Sequence, residues 1–301
     1  AVGNGYRAGV VVPHAAGANR HRTETQGIAK FLLAAPARGF FNPTMSIRPI
    51  LLLMALAFAT SSQAAKPLRA LLITGGCCHD YNMQKLLLSQ GISKRAKVKF
   101  DIIHEGGTAG DHKVKIYQRK DWAKDYDVII HNECFGKVLD VKFIEQMTAA
   151  HKAGMPAVVI HCAMHSYRRA ATDEWRRVLG VTSMRHQQKT SVEVENLKPD
   201  HPIMKGFPKS WKTPNGELYE IEKVWGTCTP LARAYGSRTK SHHPCIWVNE
   251  YGKGRTFGTT LGHHNETMDN EVYMDLMARG VLWACGKLKD DGTPVAGYGK
   301  K

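Results

Sequence analysis

Imidazole and carboxylate side chains recur in this chain directly after short apolar runs. Residues 68–74 lead into Gly75-Gly76-Cys77-Cys78-His79-Asp80, and 156–160 into His161-Cys162-Ala163-Met164-His165-Ser166-Tyr167-Arg168. Residues 127–130 lead into His131-Asn132-Glu133-Cys134, and 254–261 into Gly262-His263-His264-Asn265-Glu266. A histidine beside a carboxylate can take up a proton and return it near neutral pH. His79, Asp80, Glu133, His161, His165 and His263 are therefore the candidates for acid–base work next to a carbonyl or hydroxyl. The bland alternative is that the carboxylates cap turns and the histidines bond to backbone.

Such residues act together only if a fold brings the run ends to one edge. Residues 68–74, 98–103, 127–131 and 156–162 read as buried strands, and 83–96 and 139–153 carry apolar residues at helical spacing. This alternation is the βαβ pattern of a parallel sheet. In the second half, 190–195, 217–221, 230–235, 245–249 and 254–261 read as further strands, and 272–285 as a closing apolar helix. The expected fold is α/β: a doubly wound, mostly parallel sheet of flavodoxin-like type with additional antiparallel strands in the second half. In such sheets ligands bind at the carboxyl ends of the strands.

Imidazole and carboxylate also suit zinc or a similar divalent ion. The chain has no His-Glu-x-x-His and no Cys-x-x-Cys, and His161 lies in a predicted strand, so its spacing from His165 is not helical. No cofactor is expected and no metal ligand is assigned; a zinc-type metal is the lesser alternative. Gly75-Gly76 lacks the rest of a Gly-x-Gly-x-x-Gly or Walker pattern, which excludes a nucleotide site. Gly75, Gly76, Tyr167 and Arg168 remain candidates for substrate contact.

The chain has 301 residues, with 42 Lys+Arg against 26 Asp+Glu and a formal net charge of +16. No dense basic block with interleaved aromatics is present, so nucleic acid is not expected as a partner. Seven cysteines are too few for a disulfide scaffold. The adjacent Cys77 and Cys78 are expected to form a tight turn and not to bond to each other, since that ring is strained.

Residues 45–64 have the three parts of a secretory signal: basic Arg48, an apolar run over 50–59, and Ser62-Gln63-Ala64 before a mature start at Ala65. The run is too short to span a bilayer comfortably, so no stable membrane span is expected after cleavage. The expected location is periplasmic or secreted. Residues 1–44 read as a start-site misassignment or a disordered extension, 65–288 as a single domain, and 289–301 as a flexible tail.

An ordered set of pieces resembles the trehalose-utilisation, ThuA-like family. The set is Leu72-Ile-Thr-Gly-Gly76 with His79-Asp80, Ile160-His161, His201-Pro-Ile203 with Gly206-Phe207, and Glu217-Leu-Tyr219. It continues in residues 251–257, Leu261-Gly-His263 and residues 279–284. The Gly-Gly-Cys-Cys-His-Asp version is similar to that of an exported, planctomycete-type subgroup. The resemblance implies a class I glutamine-amidotransferase-like fold and a link to sugar metabolism, particularly disaccharides and their 3-keto forms. It adds Glu217 and Tyr219 to the residues expected to touch substrate.

Class I amidotransferases use a cysteine on a sharp strand-to-helix turn, served by a later His-x-Glu. By that resemblance Cys162 would be the nucleophile, His264 the base and Glu266 its orienter. Met164 and His165 stand where small residues would ease the turn, so glutaminase activity is not expected. The expected function is that of an exported carbohydrate enzyme, a hydrolase, lyase or isomerase, acting on a small disaccharide or keto-sugar. The alternatives are a non-catalytic carbohydrate-binding protein and a metal-dependent hydrolase.

Overall fold

A computed structural model describes residues 65–300. The expected secretory signal and the segment before it lie outside the described residues. The first half alternates as the sequence predicts: β1 (Leu68–Gly76), α1 (Tyr81–Ser93), β2 (Val98–His104), β3 (Val128–Cys134), α2 (Val141–Lys152) and β4 (Ala157–Ile160). Polar side chains start the helices. Asp80 accepts from the Met83 amide at 3.1 Å, and Asp140 from the Phe143 amide at 3.1 Å, each satisfying an otherwise orphan donor.

The second half adds α3 (Glu174–Leu179), β5 (Val181–Lys189), β6 (Glu193–Asn196), β7 (Ser210–Lys212) and β8 (Glu217–Val224). It continues with β9 (Cys228–Gly236), β10 (Ser241–Tyr251), β11 (Gly254–Thr259), α4 (Asn265–Met268) and α5 (Glu271–Ala284). The nine-stranded sheet has the order β2-β1-β3-β4-β11-β10-β9-β6-β7. Its β2-β1-β3-β4-β11 part is parallel and the remainder antiparallel. β5 and β8 form a separate antiparallel ribbon.

Strand alternation divides the core into two layers. Leu72, Ile130, Val158 and Ile160 face α1 and α5, where Leu88, Ile92, Met277 and Val281 meet them. Leu71, Ile73, Ile129 and Val159 face α2 and α3, where Phe143, Ile144, Met147 and Trp175 meet them. Burying both faces is what a parallel sheet requires. Among the described residues no helix is long and apolar enough to cross a membrane.

Two local expectations differ from the structure. Residues 289–300, in the segment expected to be loose, are tied down: the Lys97 amide donates to the Tyr298 carbonyl at 2.8 Å, and Gly299 bridges to Ala96. Tyr298 packs on the α1/α5 core, which explains the anchoring. Cys77 and Cys78 are joined by a disulfide, contrary to the expectation, and Cys134, Cys162, Cys228, Cys245 and Cys285 are free. Cys78 takes φ +87, in the left-handed region where the turn after β1 is made.

Candidate functional site

The carboxyl ends of β1, β3, β4 and β11 surround a cavity of about 580 Å³. Its floor is histidine. β4 ends at Ile160, and the chain turns sharply with His161 at φ +45, a conformation costly for a residue with a Cβ. β11 lies beside β4, with Thr259 paired to Ile160, so the turn that follows β11 delivers His263 next to His161. His161 Nε2 lies 3.0 Å from His263 Nδ1. His79, just after β1, completes the group, with its ring centroid 4.9 Å from that of His161 and 4.5 Å from that of His263.

The β5–β8 ribbon covers this floor from the side. Its register sets Lys189 opposite Glu217 and His186 opposite Tyr219. Glu217 Oε2 reaches 3.5 Å from His161 Nε2 and 3.4 Å from His263 Nδ1, while Oε1 lies 3.1 Å from His186 Nδ1. Tyr219 Oη lies 3.3 Å from His161 Nε2, and its ring stacks on His165 at 4.0 Å. His165 Nε2 is 3.0 Å from Ser183 Oγ. Arg168, held by a 3.0 Å bond to the Met184 carbonyl, joins Arg169, Lys137 and Lys189 around the cavity.

Two backbone carbonyls orient the rings. His161 Nδ1 donates to the Thr260 carbonyl at 2.6 Å and His79 Nδ1 to the His263 carbonyl at 3.4 Å. A carbonyl only accepts, so each neutral ring presents its Nε2 lone pair elsewhere. The buried Nε2 of His79 has no hydrogen-bond partner. Burial, then the neighbouring His161 and His263, lowers the His79 pKa to about 2. Burial, then Arg168, lowers His165 to about 2. Burial also lowers His161, although Glu217 opposes it. Burial alone would raise Glu217; its interaction with the adjacent His161 and His263 outweighs that and holds the carboxyl well below its usual range.

Sulfur lines the opposite wall. Cys77, Cys134 and Cys162 cluster with Tyr81, and Cys77 Sγ lies 3.7 Å from Cys134 Sγ. The hydrogen bond to Cys134 and burial both push the Cys162 thiol up, so Cys162 holds its proton. The arrangement expected by analogy with amidotransferases is not assembled. His161, not Cys162, takes the strained position of the turn. His264 precedes α4, Glu266 is exposed on it, and among the described residues no hydrogen bond joins them. His263 is the residue that enters the cavity.

Other expected residues also lie elsewhere. Asp80 is exposed and caps α1, with a 2.9 Å bond from Asn265 Nδ2. Glu133 points to the α2/α3 layer, where Oε1 meets His131 Nδ1 at 2.9 Å and Tyr117 Oη at 3.0 Å. His131 Nε2 in turn meets His151 Nε2 at 3.1 Å. Tyr167 is buried in the same layer. Gly75 and Gly76 serve backbone packing: a Cβ on them would stand 1.9 Å from the Glu105 carbonyl oxygen and 2.3 Å from that of Cys134. His79, His161, His165, His263, Cys162, Arg168, Glu217 and Tyr219 thus do converge.

Sequence reasoning missed His186 and Lys189. They lie on β5, whose mostly polar run gives no strand signal, although the adjacent basic and imidazole types were visible. Cys134 was visible at the end of its run, but its closeness to Cys77 depends on the β1–β3 register, where Gly76 pairs with Cys134.

The trehalose-utilisation (ThuA) family model matches residues 69–284. Among solved structures, a ThuA-like protein from Parabacteroides merdae ATCC 43184 is similar with 18% identity and a TM-score of 0.61, covering 78% of this chain and 98% of that one. A ThuA-like protein from Bacteroides uniformis ATCC 8492 is similar with 15% identity and a TM-score of 0.57, covering 75% and 94%. At these identities the likeness concerns the fold. The comparison with curated proteins finds no match. The family match runs from β1 to the end of α5, through every strand that builds the cavity, and the chain belongs to the trehalose-utilisation (ThuA) family.

Proposed function

We propose that this protein is an enzyme that acts on a small carbohydrate, a disaccharide or keto-sugar, by acid–base chemistry in the histidine-floored cavity. Membership of the trehalose-utilisation family connects it with carbohydrate metabolism. The observation that carries the catalytic reading is the buried carboxylate of Glu217, set among His161, His263 and His186 at 3.1–3.5 Å. A pocket built only to bind a neutral sugar needs hydroxyl-directed donors and acceptors and few titratable groups; this one concentrates them.

In this reading His186, oriented by Glu217 Oε1 at 3.1 Å, accepts a proton from a substrate C–H or O–H and returns it to the product. Tyr219 Oη, facing the same imidazole of His161, donates a hydrogen bond to the oxygen on which charge develops. Arg168 and Lys189 hold the outer hydroxyl or carbonyl oxygens. Export to the periplasm or the medium belongs to the same proposal, on the strength of residues 45–64.

The test is an NMR time course of the purified protein with trehalose and with 3-keto-trehalose, beside a His263→Ala variant of intact fold. The expected result is new sugar resonances with the wild type only. Saturable binding of either sugar without any product would replace the reading by a carbohydrate-binding one. Equal turnover by the variant would remove His263 from the chemistry.

A further inference from the structure

We propose that His79, His161 and His263 form a binding site for a zinc-type divalent cation, with three imidazole nitrogens as donors and the Glu217 carboxylate beside two of them. The inference deepens the functional reading, since it rests on the same cavity being the place of chemistry.

The argument begins with spacing. A tetrahedral ion with bonds of about 2.0–2.1 Å sets its donors roughly 3.3 Å apart. His161 Nε2, His263 Nδ1 and Glu217 Oε2 form a triangle with sides of 3.0, 3.5 and 3.4 Å. That is one face of such a tetrahedron. His79 joins the two imidazoles of that face: one ring nitrogen from each of the three histidines lies within 4.8 Å of the others.

Orientation supports the same assignment. Histidine ligands commonly donate their second ring N–H to a carbonyl, which fixes the tautomer and aims the other nitrogen at the metal. His161 and His79 both do this, through the carbonyls of Thr260 and His263. The consequence at His79 is a buried Nε2 with no partner, a cost that a ligand would remove. The group is not a set of ordinary core histidines, because it opens into the cavity lined by Glu217 and Tyr219.

The donor set also selects its ion. Imidazole with one carboxylate favours zinc and its borderline neighbours over magnesium or calcium, which want oxygen. A competing site exists elsewhere in the cavity, where Cys77, Cys78 and Cys134 approach one another. With Cys77 and Cys78 joined, those two offer no thiolate, and the metal goes to the histidines.

The experiment uses the purified full chain, stripped with a chelator and kept free of reductant. Zinc is titrated by calorimetry, and the zinc-loaded wild type is examined by X-ray absorption. The expected result is one zinc per chain in a nitrogen/oxygen shell with imidazole scattering. His161→Ala and His263→Ala are expected to weaken binding at least 100-fold, and the double variant Cys77→Ser/Cys78→Ser to leave it unchanged. No zinc bound by the wild type, sulfur in the first shell, or binding lost only in the cysteine variant would overturn the proposal. The absorption spectrum decides on the wild type alone should an alanine variant fail to fold. Zinc bound in this shell without sugar turnover would sustain the site and overturn the enzymatic reading; turnover by a protein that binds no zinc would do the reverse.

Discussion

His161 and His263 are 102 residues apart in sequence, yet their ring nitrogens Nε2 and Nδ1 lie 3.0 Å from each other. The contact exists because β4 and β11 are parallel neighbours whose last residues, Ile160 and Thr259, are in register. Chain direction and strand order thus place two imidazoles at one point, and the ribbon brings Glu217 to the same point from outside the main sheet.

Glu217→Gln keeps shape and removes the charge that the three neighbouring imidazoles face. We expect turnover of the responsive sugar to fall about 10²- to 10⁴-fold, the range for disabling a positioned proton acceptor, with an unchanged far-ultraviolet circular dichroism spectrum. Activity within threefold of wild type would show that Glu217 does not serve the proton transfer.

Cys162→Ser tests the nucleophile expected from the amidotransferase analogy. The thiol is buried and pushed up by Cys134 and by burial, and buried cysteines of this kind act as small apolar packing. Steady-state rates with the sugar should stay within about threefold of wild type. Loss of all turnover, with trapping of a covalent adduct on the wild-type cysteine, would reverse this conclusion.

The thiol count follows from the joined pair. A thiol reagent applied to the denatured, unreduced protein should find five thiols, for Cys134, Cys162, Cys228, Cys245 and Cys285. After reduction it should find all seven cysteines of the chain. Seven before reduction would mean that Cys77 and Cys78 are not bonded to each other.

Acid should destabilise the fold through His151. Burial, then the neighbouring His131, lowers its pKa from 6.5 to about 3. The unfolded chain therefore binds a proton between these values that the folded chain refuses. Stability is complete above about pH 6.5 and declines as the pH falls towards 3. At pH 5 this group alone costs about 2 kcal/mol. Urea unfolding at pH 7.5 and pH 5.0 measures the loss, and His151→Gln should make it smaller. An identical loss in wild type and variant would exclude His151 as its source.

Gly280→Ala probes the support beneath the site. An added Cβ would stand 2.2 Å from Cδ1 of Phe257 on β11. Overpacking of this kind costs about 1–3 kcal/mol, to be read from the shift in urea midpoint. An unshifted midpoint would show that α5 and β11 separate easily at this contact.

The strands that build the floor were legible because they are continuous apolar runs, and their ends are where ligand-facing residues of a parallel sheet collect. Which of those residues share a face was less so. Residues 131–134 alternate, so Cys134 reaches the sulfur cluster while His131 and Glu133 turn to the α2/α3 layer. A one-residue change in register would have exchanged them, and the sequence reading had no means of fixing it. The resemblance implied His264 as the base, but the turn after β11 delivers His263. The β5–β8 ribbon was only half visible: β8 opens with an apolar, aromatic run, whereas β5 is mostly polar because one face lies over an open cavity. For the same reason Glu217 was expected to touch substrate and not to be set among histidines.

The left-handed backbone at His161 also sets backbone conformation against side-chain burial. Glycine would relieve the conformational cost at that position, which is about 1–3 kcal/mol for a side chain held there. It would also delete the buried imidazole that supports His263 and Tyr219. That ring is buried and bonded to the Thr260 carbonyl, and losing a buried side chain costs about 2–5 kcal/mol. A search for thermostable variants of this chain should therefore leave position 161 untouched even when activity is not scored.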